Sequence, residues 1–387
     1  MQPDRPRSGA WSGGRRPCLP SLGFGGQRRP PPRRAPRSEI ASANTGFAPV
    51  PAAPIVVITV IASIDFRNFK VLRDARIELG PFNLIIGPNG SGKTSVFTAL
   101  EMLRKLAVRP VAFDDAVAPA SPGSLRFRFR PPFDELEVRI ACSADGTGQT
   151  LTVAGGPEAR HQWPALLARL ATLRTISLDA TALARPSPAG EGIQLGDDGH
   201  GLPAALDRLQ REFPETFAQI AREFCRILPE YRALGVVTAV DGTGRLWAEI
   251  HGEERRLAAA DLSQGTLVLL GLLVLAYAEP VPAILGLEEI DRGIHPRLLR
   301  EIRDVLYRLS YPEGDRPATQ VLTTSHSPYL LDQFREQLDE VIIAQKRGSE
   351  ATFERLSERA DLRDAIGGAS LGDLWYSGIF GGVPDGR

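Results

Sequence analysis

Eight consecutive residues, Gly87-Pro88-Asn89-Gly90-Ser91-Gly92-Lys93-Thr94, satisfy the spacing G-x-x-x-x-G-K-[ST], and Ser95 follows. Glycines let a backbone take positive φ and turn its N–H groups to the inside of a loop. Those donors, with the positive end of a following helix, cradle a polyphosphate. In that chemistry Lys93 reaches the β- and γ-phosphates, and the Thr94 hydroxyl is a ligand to Mg2+. The context such a loop needs is present. The apolar run Phe82–Ile86 precedes it, and a helix-like apolar spacing follows.

Three later segments carry further candidate groups. "AILGLEEID" is an apolar strand ending in two carboxylates. Glu288 is placed to hold Mg2+, and Glu289 to polarise an attacking water. As neighbours on a strand the two are expected to point to opposite faces. "DLSQGTLVLL" opens a buried helix. Ser263 there suits either a helix N-cap or, with the N–H groups near Gly265, a second phosphate-facing helix end. "VLTTSHSPYLL" is a strand that ends in His326, which at that place could sense a γ-phosphate. His295-Pro296 reads as a helix start with Pro296 in its first turn, and carries no chemistry.

These groups must be positioned by a mixed set of elements. "VVITVIASIDF", "ARIELG" and "FNLII" read as strands; "RFRFR" (126–130), "ELEVRIAC" (135–142) and "TLTVAG" (150–155) read as antiparallel strands. Turns fall at Pro131-Pro132 and Asp145-Gly146. Helical spacing covers 162–174 and 203–229, and 236–251 is a hairpin turning at Asp241-Gly242. A buried helix (about 264–278), a strand, a helix (296–309), a strand and a helix (328–338) follow. That alternation marks a parallel sheet. In "RFRFR" the arginines share one face, read as a half-buried strand with a solvated basic side rather than a DNA-contacting patch.

Bulk properties bound the class. With 43% apolar and 24% charged residues in a 387-residue chain, the composition is that of a globular protein. The longest apolar run, Leu267–Ala278, is too short to cross a bilayer. Cys18, Cys142 and Cys225 are far apart, so neither a metal spacing nor a disulfide framework is indicated, and a reducing cytoplasm is the expectation. Net charge is zero, yet residues 1–54 carry nine arginines against Asp4 and Glu39. The remainder is therefore acidic and lacks a global basic footprint for nucleic acid. The Pro/Arg/Gly-rich 1–54 stretch is expected to be disordered. A transit peptide fits its Arg content but not its prolines. Alternatively it is not a native segment: the first internal methionine is Met102, and a non-Met start near Val56–Val60 fits equally.

Phosphate loop, Leu-Ser-x-Gly, apolar strand with a Glu pair, then strand-His, in that order, resemble the ABC-type ATPase heads. More narrowly, "IDFRNFKVLRDARIELGPFNLIIGPNGSGKT", "EEIDRGIHP", "TTSHSPYLLDQF" and "SLGDLWYSGIFGGVP" resemble the AAA-domain ATPases of the SMC/RecF-like and OLD-type group. The resemblance runs from Val56 to the end, weakly over 105–200. It implies an α/β fold, a P-loop NTPase of ABC/SMC head type with a mixed sheet lobe and a helical signature lobe. Residues 55–387 would form this head: the phosphate loop at 87–94, an inserted strand and helix lobe over about 107–256, the signature and acidic-strand part over 257–345, and a C-terminal tail over 346–387. It implies ATP and Mg2+ as ligands, with Gly87 through Ser95 on phosphate, Thr94 and Glu288 on Mg2+, Ser263 and Gly265 as signature, Glu289 as base and His326 as switch. Asp291 would lie in a segment that communicates across a dimer. Ile290-Asp291 stands where the family usually has Pro-Glu. No convincing glutamine couples Mg2+ to a second lobe, Gln149 being a poor candidate.

The same resemblance implies a homodimer in the ATP state, head to tail, each nucleotide between one copy's loop and the other's Ser263 segment. It implies a separately encoded effector and a role in DNA repair or in defence against phage and plasmids; whether DNA is bound stays open. A transporter ATPase subunit and a nucleotide-binding module with little turnover are the alternatives. An SMC-like tether is excluded for want of a long heptad arm between the loop and Ser263. Only about 50 residues follow the last motif, with no nuclease-like cluster among them.

Overall fold

The computed structural model describes residues 60–380 apart from 110, 114–122, 143–147, 189–193, 241, 253–254, 278, 348–349 and 360–367. The expectations for 1–54, for the Asp145-Gly146 turn and for Asp241 lie outside those residues. Along the chain run β1 (Ile61–Phe69), β2 (Leu72–Glu78), β3 (Phe82–Ile86), α1 (Lys93–Ala107), β4 (Ala112–Phe113), β5 (Gly123–Phe129), β6 (Glu137–Cys142) and β7 (Gln149–Ala154). Next come α2 (Pro157–Arg160), α3 (Trp163–Ala171), β8 (Arg174–Ile176), α4 (Ala180–Ala184), β9 (Ser187–Pro188), α5 (Leu202–Glu212), α6 (Pro214–Ile227), β10 (Tyr231–Thr238), β11 (Thr243–Ile250) and β12 (Arg256–Ala258). Then follow α7 (Gln264–Tyr277), β13 (Ile284–Leu287), α8 (Leu299–Ser310), β14 (Gln320–Ser325), α9 (Pro328–Asp332), β15 (Val341–Arg347), β16 (Glu350–Arg355) and α10 (Leu371–Tyr376).

The sheet that positions the site has the order β16-β15-β3-β14-β13-β8. Its neighbours pair in parallel except β16, which returns antiparallel to β15. Every residue of β3, β13 and β14 is buried. Strands covered on both faces need no alternation. So β13 reads as an apolar run and β3 as one broken only by Asn83, whereas β14 buries Gln320, Thr323, Thr324 and Ser325 beside its apolar residues. Alternate residues serve different cores. Phe82, Leu84, Ile86, Leu285 and Leu287 pack with α5, α6, α7 and α8. Ile85, Ile284 and Leu322 pack on the other side, with α1 and a second sheet. That sheet has the order β2-β1-β5-β6-β7-β4.

In β5 the expected alternation holds. Phe127 and Phe129 are buried, and the arginine face is neutralised within the sheet: Arg128 lies 2.8 Å from Asp65, and Arg126 lies 3.4 Å from Glu137. The two sheets are tied by Gln320, which is 1% exposed. Its Oε1 accepts from the Ile61 N–H at 2.9 Å, and its Nε2 donates to the Ile61 and Gly80 carbonyls at 2.8 and 3.0 Å. A third, small sheet joins β10, β11 and β12, with β9 on β11. Helix α7 is apolar on all sides and buried from Gly265 to Ala276, the burial such a helix requires.

Several boundaries differ from those the sequence suggests. The stretch 107–256 does not close on itself as one inserted lobe; its strands are shared among all three sheets. The helical stretch 203–229 is two helices, because Pro214 lacks the N–H to continue α5 and instead opens α6. The helix at 296–309 begins as a 3-10 turn, Pro296–Leu298, capped by His295 Nδ1 accepting from the Arg297 N–H. The helix at 328–338 is only the short α9. The stretch 346–387 contributes β16 to the central sheet.

Candidate nucleotide site

β3 delivers the chain to a turn at the carboxyl ends of the parallel strands, where ligands gather in open α/β sheets. Three glycines are needed there for distinct reasons. A Cβ on Gly87 would stand 2.3 Å from the Ala344 carbonyl, so only glycine lets the loop cross β15. Gly90 and Gly92 have φ of 76° and 98°, the left-handed region. Gly92 is the N-cap of α1 and offers no side chain, so the first amides of the helix stay available to an anion.

Beside the loop is a cavity of about 240 Å3 lined by Asn89, Gly90, Gly92, Lys93, Thr94 and Ser95 on one side and Glu288, Glu289, Thr324 and His326 on the other. The Lys93 ammonium donates to the Gly87 and Pro88 carbonyls at 2.7 and 3.0 Å. Burial lowers its pKa to about 8, opposed by the Glu289 and Glu288 carboxylates. Burial raises the Glu288 carboxyl above its ordinary range; the Thr94 hydroxyl counteracts, while Glu289 and Glu101 push the same way as burial. Burial also lowers His326, helped by Lys93 and opposed by Asp291 and Glu289, which favours the neutral ring. Gly87, Pro88 and Ser91 stand behind the cavity wall: two supply carbonyls to Lys93, and Ser91 is fully buried.

The two carboxylates do not face opposite ways. β13 ends at Leu287, and Glu289 has φ of 51°, in the left-handed region. Its N–H donates to Thr324 Oγ1 at 2.9 Å, and the Ile290 N–H to the Thr324 carbonyl at 3.2 Å. This kink turns both carboxylates into one cavity, so the alternation rule stops one residue too early to apply. A divalent cation fits here. Thr94 and Glu288 are hard oxygen donors, and Glu288 Oε1 is a buried atom with no hydrogen-bond partner among the described residues.

Ser263 and Gly265 are not brought into this cavity. Ser263 Oγ accepts from the Thr266 N–H at 3.1 Å and caps α7. Gly265 packs against the Gly293 carbonyl, where a Cβ would come within 3.0 Å. Asp291 Oδ1 is buried without a partner among the described residues. Gln149 stands exposed at the start of β7, outside the cavity. The sequence reading missed Lys70, Val71 and Thr324, which line the cavity. Lys70 has φ of 52°, and its ammonium donates to Thr98 Oγ1 at 2.6 Å. Thr324 was within reach, two residues before His326 on a strand recognised as such.

Comparison with known proteins places these observations. Residues 60–126 match the family described as "AAA ATPase domain", and residues 176–332 match the family described as "AAA domain, putative AbiEii toxin, Type IV TA system". An OLD nuclease of Thermus scotoductus is 40% identical over 40 residues, which is 10% of this chain and 8% of that protein. An Smc head bound to the C-winged helix domain of ScpA superposes with a TM-score of 0.55 at 17% identity, over 79% of this chain and 100% of that one. An Smc head with an extended coiled coil, bound to the C-terminal domain of ScpA from Pyrococcus furiosus, superposes with a TM-score of 0.52 at 13% identity, over 79% and 99%. The fold is that of these heads. Among the described residues no helix is long and apolar enough to cross a membrane.

Proposed function

We propose that this chain, two segments of which match AAA ATPase domain families and whose fold is that of SMC heads, binds ATP with Mg2+ and hydrolyses it as a nucleotide-dependent switch. The observation that carries this reading is the convergence of Lys93, Thr94, Glu288, Glu289 and His326 on one cavity from three separate parts of the chain. Lys93 and the α1 amides hold the β- and γ-phosphates. Thr94 and Glu288 hold Mg2+, which when bound neutralises charge on the phosphate oxygens. Glu289 takes a proton from the water whose oxygen attacks the γ-phosphorus. The bond to the bridging oxygen breaks, and ADP and phosphate leave. Neutral His326 donates its N–H to the γ-phosphate.

Ser263 and Gly265 lie away from this chain's own cavity, and we assign them to the nucleotide of a second copy in a head-to-tail dimer. Asp291, whose Oδ1 has no partner among the described residues, is assigned to the same interface. A separately encoded effector, in DNA repair or in defence against phage and plasmids, would read the switch in the cytoplasm. Support for such a role is the kinship with an OLD nuclease segment and with heads that carry ScpA. The test is light scattering of Glu289→Gln with and without ATP and Mg2+, beside phosphate release by the unaltered protein. Phosphate release, and a doubling of the variant's mass only with nucleotide, are expected. A protein that binds ATP but releases no phosphate removes the hydrolase, and an unchanged mass removes the dimer.

A further inference from the structure

At the other end of α1 from the phosphate loop is a larger cavity of about 500 Å3, within the range of small-molecule sites. Its walls include Leu209, Phe213 and Val274; three guanidinium groups, of Arg104, Arg174 and Arg208, and two carboxylates, of Asp197 and Glu279, also line it, Glu279 lying 4.0 Å from Arg316. Two of these are engaged. Arg174 donates to the Leu195 carbonyl and, at 3.2 Å, to Asp197. Arg208 donates to Glu212 at 3.0 Å, with its guanidinium over the Phe213 ring, 5.5 Å from the centroid.

Arg104 is different. Among the described residues its guanidinium meets only Asp197, at 3.7 Å, a carboxylate already committed to Arg174. The Asp197 and Arg104 side chains are 53% and 29% exposed, so the pair is weak and readily exchanged for a better acceptor. A planar fork of N–H donors, short of acceptors, in a concavity with partly apolar walls and more guanidinium than carboxylate groups recognises an anion. The Arg208–Phe213 stack beside it offers a flat face to a planar body.

We propose that this cavity binds a small molecule with a flat apolar body and one anionic group, the anion on Arg104 and the body between Phe213 and α7. The nucleotide site plays no part in the argument, so failure here leaves the ATPase reading intact.

The probe is 8-anilinonaphthalene-1-sulfonate, titrated by fluorescence into the full chain, against N-phenyl-1-naphthylamine, a naphthylamine without the sulfonate. Saturation near about one molecule per chain is expected, with the anionic dye bound about tenfold more tightly. Arg104→Gln should erase that preference and leave the neutral dye unaffected. Ala205→Phe, at a wall residue that is 6% exposed, should fill the cavity and remove both. Circular dichroism melting shows whether Ala205→Phe folds; if it does not, Arg104→Gln decides alone. The absence of saturable binding, or equal binding of the sulfonate by the Arg104→Gln and unaltered proteins, overturns the proposal. An apolar hole indifferent to charge does so as well.

Discussion

At the scale of residues, Glu289 is held in a backbone region that a side chain with a Cβ enters at a cost of roughly 1–2 kcal/mol. The Thr324 hydroxyl, accepting from the Glu289 N–H, helps to hold it there. Thr324→Val keeps the shape and removes that acceptor. Turnover is expected to fall on the order of tenfold with ATP affinity nearly unchanged, and Thr324→Ser to restore it. A loss in affinity as large as the loss in turnover would make Thr324 a binding residue instead. Lys93 makes a second prediction. With a folded pKa of about 8 it loses its charge as pH rises through that value, so nucleotide affinity falls on the order of tenfold per pH unit above about 8. Its contribution to stability runs the other way. Between about 8 and the ordinary 10.5 the unfolded chain holds the extra proton, so stability rises with pH there. Nucleotide titrations from pH 7 to 9.5 on the unaltered protein and Lys93→Met check both the slope and its owner, since the variant should be flat.

At the scale of elements, α1 and β13 must meet closely for the loop and the Glu pair to share a cavity. Gly286 allows this, for a Cβ there would stand 2.9 Å from the Phe97 ring. The Gln320 clasp holds β1 to the start of β14, so the second sheet is fixed to the strand that ends near His326. Gln320→Leu leaves the Ile61 N–H and C=O buried without partners, and a loss of about 2–4 kcal/mol in urea unfolding is expected. A loss under about 0.5 kcal/mol would mean that water replaces the amide. These dependencies explain what was legible. The phosphate loop is contiguous, and β3 is apolar apart from Asn83, so both are read directly. The β15–β16 hairpin was missed because "VIIAQKR" and "EATFER" follow a segment taken as helix. β8 was missed because three residues on a sheet edge carry no periodicity. The kink at Glu289 and the left-handed Lys70 depend on tertiary hydrogen bonds that no local pattern encodes.

At the scale of the whole molecule, the layers put the loop, the Glu pair and His326 on one side of the central sheet's carboxyl edge and leave the α7 terminus outside the cavity. If two copies complete each other, defects at the two places should complement in a mixture. Lys93→Ala destroys the loop of every copy that carries it, and Ser263→Arg blocks the signature. Each variant alone has no complete site. Mixed as a symmetric dimer, half the pairs are hybrids, and each hybrid keeps one whole site, built from the intact loop of one copy and the intact Ser263 of the other. Phosphate release should recover to about a quarter of the unaltered rate. Recovery would require that loop and Ser263 be supplied by different chains, which a monomeric enzyme cannot do. No recovery, with both variants folded and shown to mix, would place Ser263 in its capping role alone, where its bond to the Thr266 N–H already gives it a sufficient reason to be there.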